Sequence, residues 1–163
     1  MKTRLFIISF FLFNSVLFSQ SKFALGFNLS EQFMQKDMGV NIEGLLSYNI
    51  NSDITLVLSA ANATMENKDL DLKYKLDKYA FQVNYDFGKS ETSKFESIFG
   101  FSYVNFDKKL NLEDDNGLGI DLGVQVLFGL KNKLHYGIRV VSTYSSVAPG
   151  GILNAGVIFS HSL

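Results

Sequence analysis

Few side chains in this sequence are equipped for chemistry, and their spacing limits what they can do. Cysteine is absent, which removes thiol nucleophiles, disulfides and thiolate metal sites. The imidazoles are His135 and His161, and a hydrolytic triad would need one of them beside a serine and an acid. Asp86 and Glu96 flank a turn at 88–94 almost symmetrically, so adjacent antiparallel strands would bring the two carboxyls together. Paired acids can do acid–base work. No nucleophile or sugar-binding cleft accompanies them, however, and Lys89, Lys94 or His135 can neutralise them. The run Glu-Asp-Asp-Asn-Gly at 113–117 is acidic enough for calcium, yet it lacks the alternating ligand spacing of an EF-hand loop and reads as a solvated turn. The remaining candidates, Glu43, Asp121 and Arg139, are isolated charges within apolar or small-residue stretches.

The elements that would position these residues are strands. After the first 20 residues, segments of about ten residues alternate in polarity between polar clusters, and no stretch keeps helical spacing for long. Eight such segments can be counted. The first sets Phe23, Leu25, Phe27 and Leu29 against Ala24, Gly26, Asn28 and Ser30; the second, from about 40 to 50, sets Val40, Ile42 and Leu46 against Asn41, Glu43 and Leu45. In the fourth, Tyr79, Phe81, Val83, Tyr85 and Phe87 alternate with Lys78, Ala80, Gln82, Asn84 and Asp86. Just before it, Leu70, Leu72, Tyr74 and Leu76 alternate with charged residues, which predicts a hairpin projecting from a membrane as ordered strand. The sixth and seventh carry Asp121 and Arg139 on their less apolar faces, and Pro149, Gly150 and Gly151 lead into the eighth. Connections after the second, fourth and sixth strands are mostly short, while those after the first, third and fifth read as longer and charged.

The second face decides between a soluble and a membrane sheet. It is mainly Gly, Asn, Ser, Thr and Gln with scattered charges, whereas a water-facing sheet carries many Lys and Glu residues. Glycines 26, 100, 119, 123, 129, 137 and 156 all fall on it, which suits the crowded interior of a narrow barrel. Aromatics gather near strand ends: Tyr48, Tyr85, Phe87, Phe95, Phe128 and Tyr136 at one rim, Tyr79, Tyr103 and Tyr144 at the other. The pattern predicts an all-β fold, an eight-stranded antiparallel up-and-down transmembrane β-barrel. Its lumen would be just wide enough for side chains, which argues against an open pore. Glu43, Asp121 and Arg139 then lie deep inside, Arg139 as the one deep basic group and the two acids as its counter-charges, forming a lumen salt bridge in preference to a gated proton or ion path.

The chain ends point the same way. Lys2 and Arg4 precede an apolar run at 5–18 that is too short to span a bilayer, and Ser19 and Ser21 follow, the pattern of a cleaved secretory signal peptide over 1–20. Its removal would leave a barrel domain over 21–163 and, with Lys2 and Arg4 gone, move the formal net charge from -1 to -3, which suggests no nucleic-acid partner. At the other end, the alternation over 154–163 with Asn154, Gly156, Phe159 and His161 resembles the C-terminal signal by which bacterial outer-membrane barrels are recognised for insertion. In overall plan the mature chain resembles the small eight-stranded outer-membrane proteins of the outer membrane protein A and outer membrane protein X families. That resemblance implies an outer-membrane location, contact with outer-membrane lipid and the barrel-assembly machinery, and a non-enzymatic anchor for external loops serving envelope integrity, adhesion or surface recognition. It implies no cofactor and names no external partner. The competing readings are a lipid-modifying enzyme of the same architecture and a periplasmic barrel that binds apolar ligands.

Overall fold

The computed structural model describes residues 22–163 apart from 68, 70 and 108–113. The expected signal peptide at 1–20 lies outside the described residues, as does Glu113 of the acidic loop. Eight strands follow one another in chain order: β1 (Phe23–Met34), β2 (Asp37–Asn49), β3 (Ile54–Asn67), β4 (Leu72–Lys89), β5 (Ser93–Phe106), β6 (Asn116–Phe128), β7 (Leu134–Ser145) and β8 (Ala148–Ser162). Each pairs antiparallel with the next, and β1 closes on β8, so the sheet has no free edge. Closure joins the chain ends at one rim, where Leu163 N–H donates to the Phe23 carbonyl at 3.0 Å.

The alternation sorts side chains as the sequence predicts through most of the wall. Leu25, Phe27, Phe81, Phe99, Phe101, Ile120, Leu122, Ile138, Val157 and Phe159 face outward and are exposed, while Asn28, Asn41, Glu43, Gln82, Asp121, Gln125 and Arg139 are buried inside. At the rim that holds the chain ends, the rings of Phe23 and Tyr48 pack at 4.9 Å, Phe128 and Tyr136 at 5.9 Å, and Phe87 and Phe95 at 6.4 Å. Tyr79 and Tyr103 are cross-strand partners toward the opposite rim.

Two expectations need correction. The long charged connection after β1 is a two-residue turn, Gln35 and Lys36, with Gln35 in the left-handed region at φ 53°. The charged residues of this region belong to strands that simply run further, so β2 starts at Asp37. Likewise Pro149, Gly150 and Gly151 lie within β8, where the two glycines take φ values of 80° and 78° that a side chain would resist.

A third difference concerns which way the upper part of the β3–β4 hairpin faces. Pairing runs without a break from Ile54 with Tyr85 to Asn67 with Leu72. With no bulge, parity cannot change, so Leu76 and Tyr74 share the inner face with Lys78 and Gln82. They join Ala63, Met65, Val104, Phe106, Val147, Ala148 and Ile152 in a buried apolar cluster inside the barrel, while Asn62, Thr64, Lys73 and Lys75 point outward into the open. This end of the barrel is therefore apolar inside and polar outside, the reverse of the section below it.

Candidate functional site: the lumen charge network

The inward positions of six strands build one connected polar network. Asp121 on β6 is wholly buried; its carboxylate accepts from Thr143 Oγ1 at 2.7 Å, Ser102 Oγ at 3.0 Å and Gln82 Nε2 at 2.6 Å, and lies 3.4 Å from Lys78 Nζ. Gln82 passes the connection on, since its carbonyl oxygen accepts from Arg139 Nη2. Arg139 also donates through Nη1 to Gln125 Oε1 at 2.7 Å, and its Nε stands 3.5 Å from Glu43 Oε2. Asn28 Nδ2 donates to the same Glu43 oxygen at 3.1 Å. Gln125 in turn donates to Glu96, which is paired with Lys94 at 2.6 Å.

The structure thus brings Glu43 and Arg139 into contact and puts Asp121 elsewhere. Arg139 is not the only deep cation: Lys78, 4% exposed, takes Asp121 as its counter-charge. The sequence places Lys78 on the inner face but does not single it out as a deep charge. Parity was the signal available. Gln82 and Gln125 are the other residues that sequence reasoning missed. Neutral and undistinguished in sequence, each uses its amide as donor to a carboxylate and its carbonyl as acceptor from Arg139.

In charge the network balances: Lys78, Lys94 and Arg139 stand against Glu43, Glu96 and Asp121. Burial of an unpaired member would cost several kcal/mol, so each charge needs its partner in place. Apolar groups close the lumen on either side. Toward the polar-coated end lies the cluster around Tyr74, Leu76 and Phe106; toward the chain ends, Leu45, Val57, Leu127 and Ile158 pack together against Leu130.

A vestibule of about 550 Å³ opens at the rim of the chain ends; residues of the second cluster line it together with Asn84, Lys94, His135 and the network's Glu96 and Gln125. Asp86 and Glu96 are direct cross-strand partners, but Glu96 is held by Lys94 and Gln125 while Asp86 accepts from the Gly88 N–H at 3.0 Å. His135 Nε2 lies 3.0 Å from the Asn132 carbonyl, and His161 is exposed on the outer face between Leu25 and Leu134. Among the described residues, neither imidazole is hydrogen-bonded to a hydroxyl or a carboxylate, and no group of three acids or histidines converges on a metal position.

The four residues singled out near the C-terminus divide between the faces of β8. Asn154 and Gly156 point inward; Phe159 and His161 point outward, with Phe159 between Phe27 and Tyr136. Gly156 is a packing necessity, since a Cβ there would stand 2.2 Å from the Leu29 carbonyl oxygen.

No protein-family model matches the chain, and no curated protein matches it in sequence. Solved structures do resemble it. Neisserial surface protein A superposes with a TM-score of 0.61 at 14% identity, covering 86% of this chain and 96% of that one. The outer membrane enzyme PagL gives 0.59 at 14% identity over 86% and 99%, and the N-terminal β-barrel domain of Pseudomonas aeruginosa OprF gives 0.57 at 12% over 85% and 96%. At such identities the likeness speaks of fold, and the fold is that of the eight-stranded outer-membrane barrels.

Proposed function

We propose that this chain is a non-enzymatic barrel of the bacterial outer membrane, exported by a cleaved signal peptide, whose sealed wall anchors an external polar rim for envelope integrity, adhesion or surface recognition. The observation that carries this reading is the pairing of an outward apolar band with a lumen crossed by a charge-balanced side-chain network. A band of exposed Leu, Phe, Ile and Val all round the wall suits hydrocarbon and not water. A lumen of paired charges between two apolar clusters suits a wall and not a channel. Among the described residues neither imidazole has the hydroxyl and carboxylate partners that hydrolysis would need, which favours an anchor over an enzyme.

The rim offers the surface for such a role. Beyond the apolar band, β3 and β4 present Asn62, Thr64, Lys73 and Lys75, and Lys36 on the first hairpin reaches Asp69 on the second at 3.1 Å. Fractionation of native cells with intact-mass measurement tests the location: the chain should be recovered in the outer membrane, shorter by 19 to 21 residues. Recovery as a soluble periplasmic protein would refute the membrane reading, and an unshortened mass would refute cleavage.

The assembly signal has its own test. Phe159→Asp puts a charge on the outward face, where hydrocarbon disfavours it most at mid-membrane and less near the rim. It should lower the amount of heat-modifiable barrel in the membrane and leave precursor or fragments. Unchanged levels would mean that the terminal strand carries no such signal.

A further inference from the structure

Most outward positions of the apolar band carry large side chains; small ones stand singly at Ser97, Ser142 and Ala155, and side by side at one place. Gly44 on β2 and Ala60 on β3 are register neighbours, and both lie on the outward parity, between Phe27 on one side and Tyr79 on the other. They floor a groove of about 970 Å³, open along its length and walled by Leu46, Leu58, Phe81 and Phe101. Its lining is almost wholly hydrocarbon. The phenols of Tyr79 and Tyr103 stand toward its upper end, and neither hydroxyl is hydrogen-bonded among the described residues.

The barrel itself does not require glycine at position 44. A Cβ there would meet nothing nearer than the Ala60 carbonyl oxygen at 4.0 Å, and the backbone is not left-handed. Gly39, Gly123, Gly137 and Gly156 are different, because a Cβ at each would come within 2.4 Å of a neighbouring strand's backbone. Glycine inside a strand weakens it and marks a bulge, a bend or the close approach of something else. Pairing on both sides of β2 is regular, so close approach remains.

We propose that this groove binds one acyl chain of a membrane lipid, whose ester or amide carbonyl accepts hydrogen bonds from Tyr79 and Tyr103. The proposal rests on the membrane reading above. The groove is continuous with the band that acyl chains cover, and an unfilled apolar depression forfeits the dispersion contacts of its lining. Its polar groups sit where a lipid changes from hydrocarbon to carbonyl. Selection falls on the chain and its carbonyl rather than on headgroup charge, because the next outward residues on β4 are Asp77, which accepts from Asn62 at 2.6 Å, and Lys75, of opposite sign.

The test uses the barrel refolded into phospholipid vesicles that contain a phospholipid with a photoactivatable acyl chain, irradiated and mapped by mass spectrometry. Crosslinks should favour the β2–β5 face over the β6–β8 face by about tenfold, a difference of about 1.4 kcal/mol. Filling the groove with Gly44→Phe and Ala60→Leu should abolish that preference while heat-modifiable migration is kept. Changing Tyr79→Phe and Tyr103→Phe should reduce it by about threefold, the worth of a modest hydrogen bond. Even labelling around the wild-type wall overturns the proposal, as does a preference untouched in a folded groove-filled variant. A protein–protein crosslink through this face also overturns it, by making a second copy the occupant. If the filled variant does not fold, the wild-type map decides alone. Failure of the wild-type barrel to enter vesicles is a separate outcome that removes the membrane reading with it.

Discussion

Along β4 the barrel reverses its polarity without reversing its geometry. From Lys78 to Asp86 the inward side chains are polar or small and the outward ones are Tyr79, Phe81, Val83, Tyr85 and Phe87; at Tyr74 and Leu76 the inward side chains are apolar and the outward ones are Lys73 and Lys75. One strand, one register and one lumen serve both sections. What differs is the medium that each outer face is built to meet. Where that medium is hydrocarbon, the outer face supplies no solvent contrast, and uniqueness inside has to come from directional polar partners. Where it is water, burial of Tyr74, Leu76 and Phe106 supplies the driving force of an ordinary soluble core. The lower section should therefore be sensitive to broken pairing and the upper one to lost volume.

The largest effect belongs to Arg139, which holds Glu43, Gln82 and Gln125 at once. Arg139→Ala should cost about 3 to 5 kcal/mol, read as a lower urea midpoint of the purified barrel in detergent or lipid. The change leaves a buried carboxylate unpaired, so adding Glu43→Gln should recover part of the loss. Asp121→Asn should couple more weakly with Arg139→Ala, because Asp121 has Lys78 and meets Arg139 only through Gln82. Equal coupling to both acids would show that the network works as one pool of charge, and no destabilisation would remove it from the account of stability.

Volume should rule in the upper section. Leu76→Ala, in a fully enclosed apolar setting, should cost about 2 to 5 kcal/mol. The same change at Leu122, on the outward face of the apolar band, should cost only about 0.5 kcal/mol, since lipid chains fill the space. Parallel urea titrations in one lipid composition compare them directly. Similar losses at the two sites would mean that Leu122 is covered by protein or that the upper cluster is loosely packed.

This contrast also explains how far the sequence could be read. Strand number, closure and the facing of residues in the apolar band follow from period-two alternation, which one polar and one apolar medium impose at every step. The inner face of residues 72–76 was harder. Apolar residues occupy even positions at Leu72, Tyr74 and Leu76 and odd positions at Tyr79, Phe81 and Val83. Such a switch has two physical causes, a bulge that shifts parity or a change of surroundings that inverts polarity. Alternation alone does not separate them; the unbroken β3–β4 register does. Within the network, Glu43, Asp121 and Arg139 stand out as rare inward charges, whereas Gln82 and Gln125 carry no charge: Gln82 acquires its place only when β4 meets β6 and β7 across the lumen, and Gln125 only through the register of β5, β6 and β7.

An effect smaller than the loss of Arg139 or Leu76 is expected at the top of the upper section, where one polar contact is embedded in the apolar cluster. Tyr74 is buried and donates its hydroxyl to Asp37 Oδ2 at 2.6 Å, while Asn67 donates to the other oxygen at 2.7 Å. Tyr74→Phe keeps the ring and its packing on Phe106, so it should cost only about 1.5 to 3 kcal/mol, the worth of a hydrogen bond to a charged group. Burial, then the hydrogen bond to Asp37 and its charge, push the phenol well above the usual tyrosine range. With the folded value raised, the neutral phenol is the form the fold binds. Its contribution is complete below the unfolded value near pH ~10 and is lost as pH rises past it toward the folded value. Wild type should therefore lose stability from about pH 10 upward, and Tyr74→Phe should flatten that part of the profile while leaving the neutral range parallel to wild type. An alkaline limb that is just as steep in the variant would mean that the loss does not come from Tyr74, and would leave the Asp37–Tyr74 contact as a local fastening of the hairpin ends.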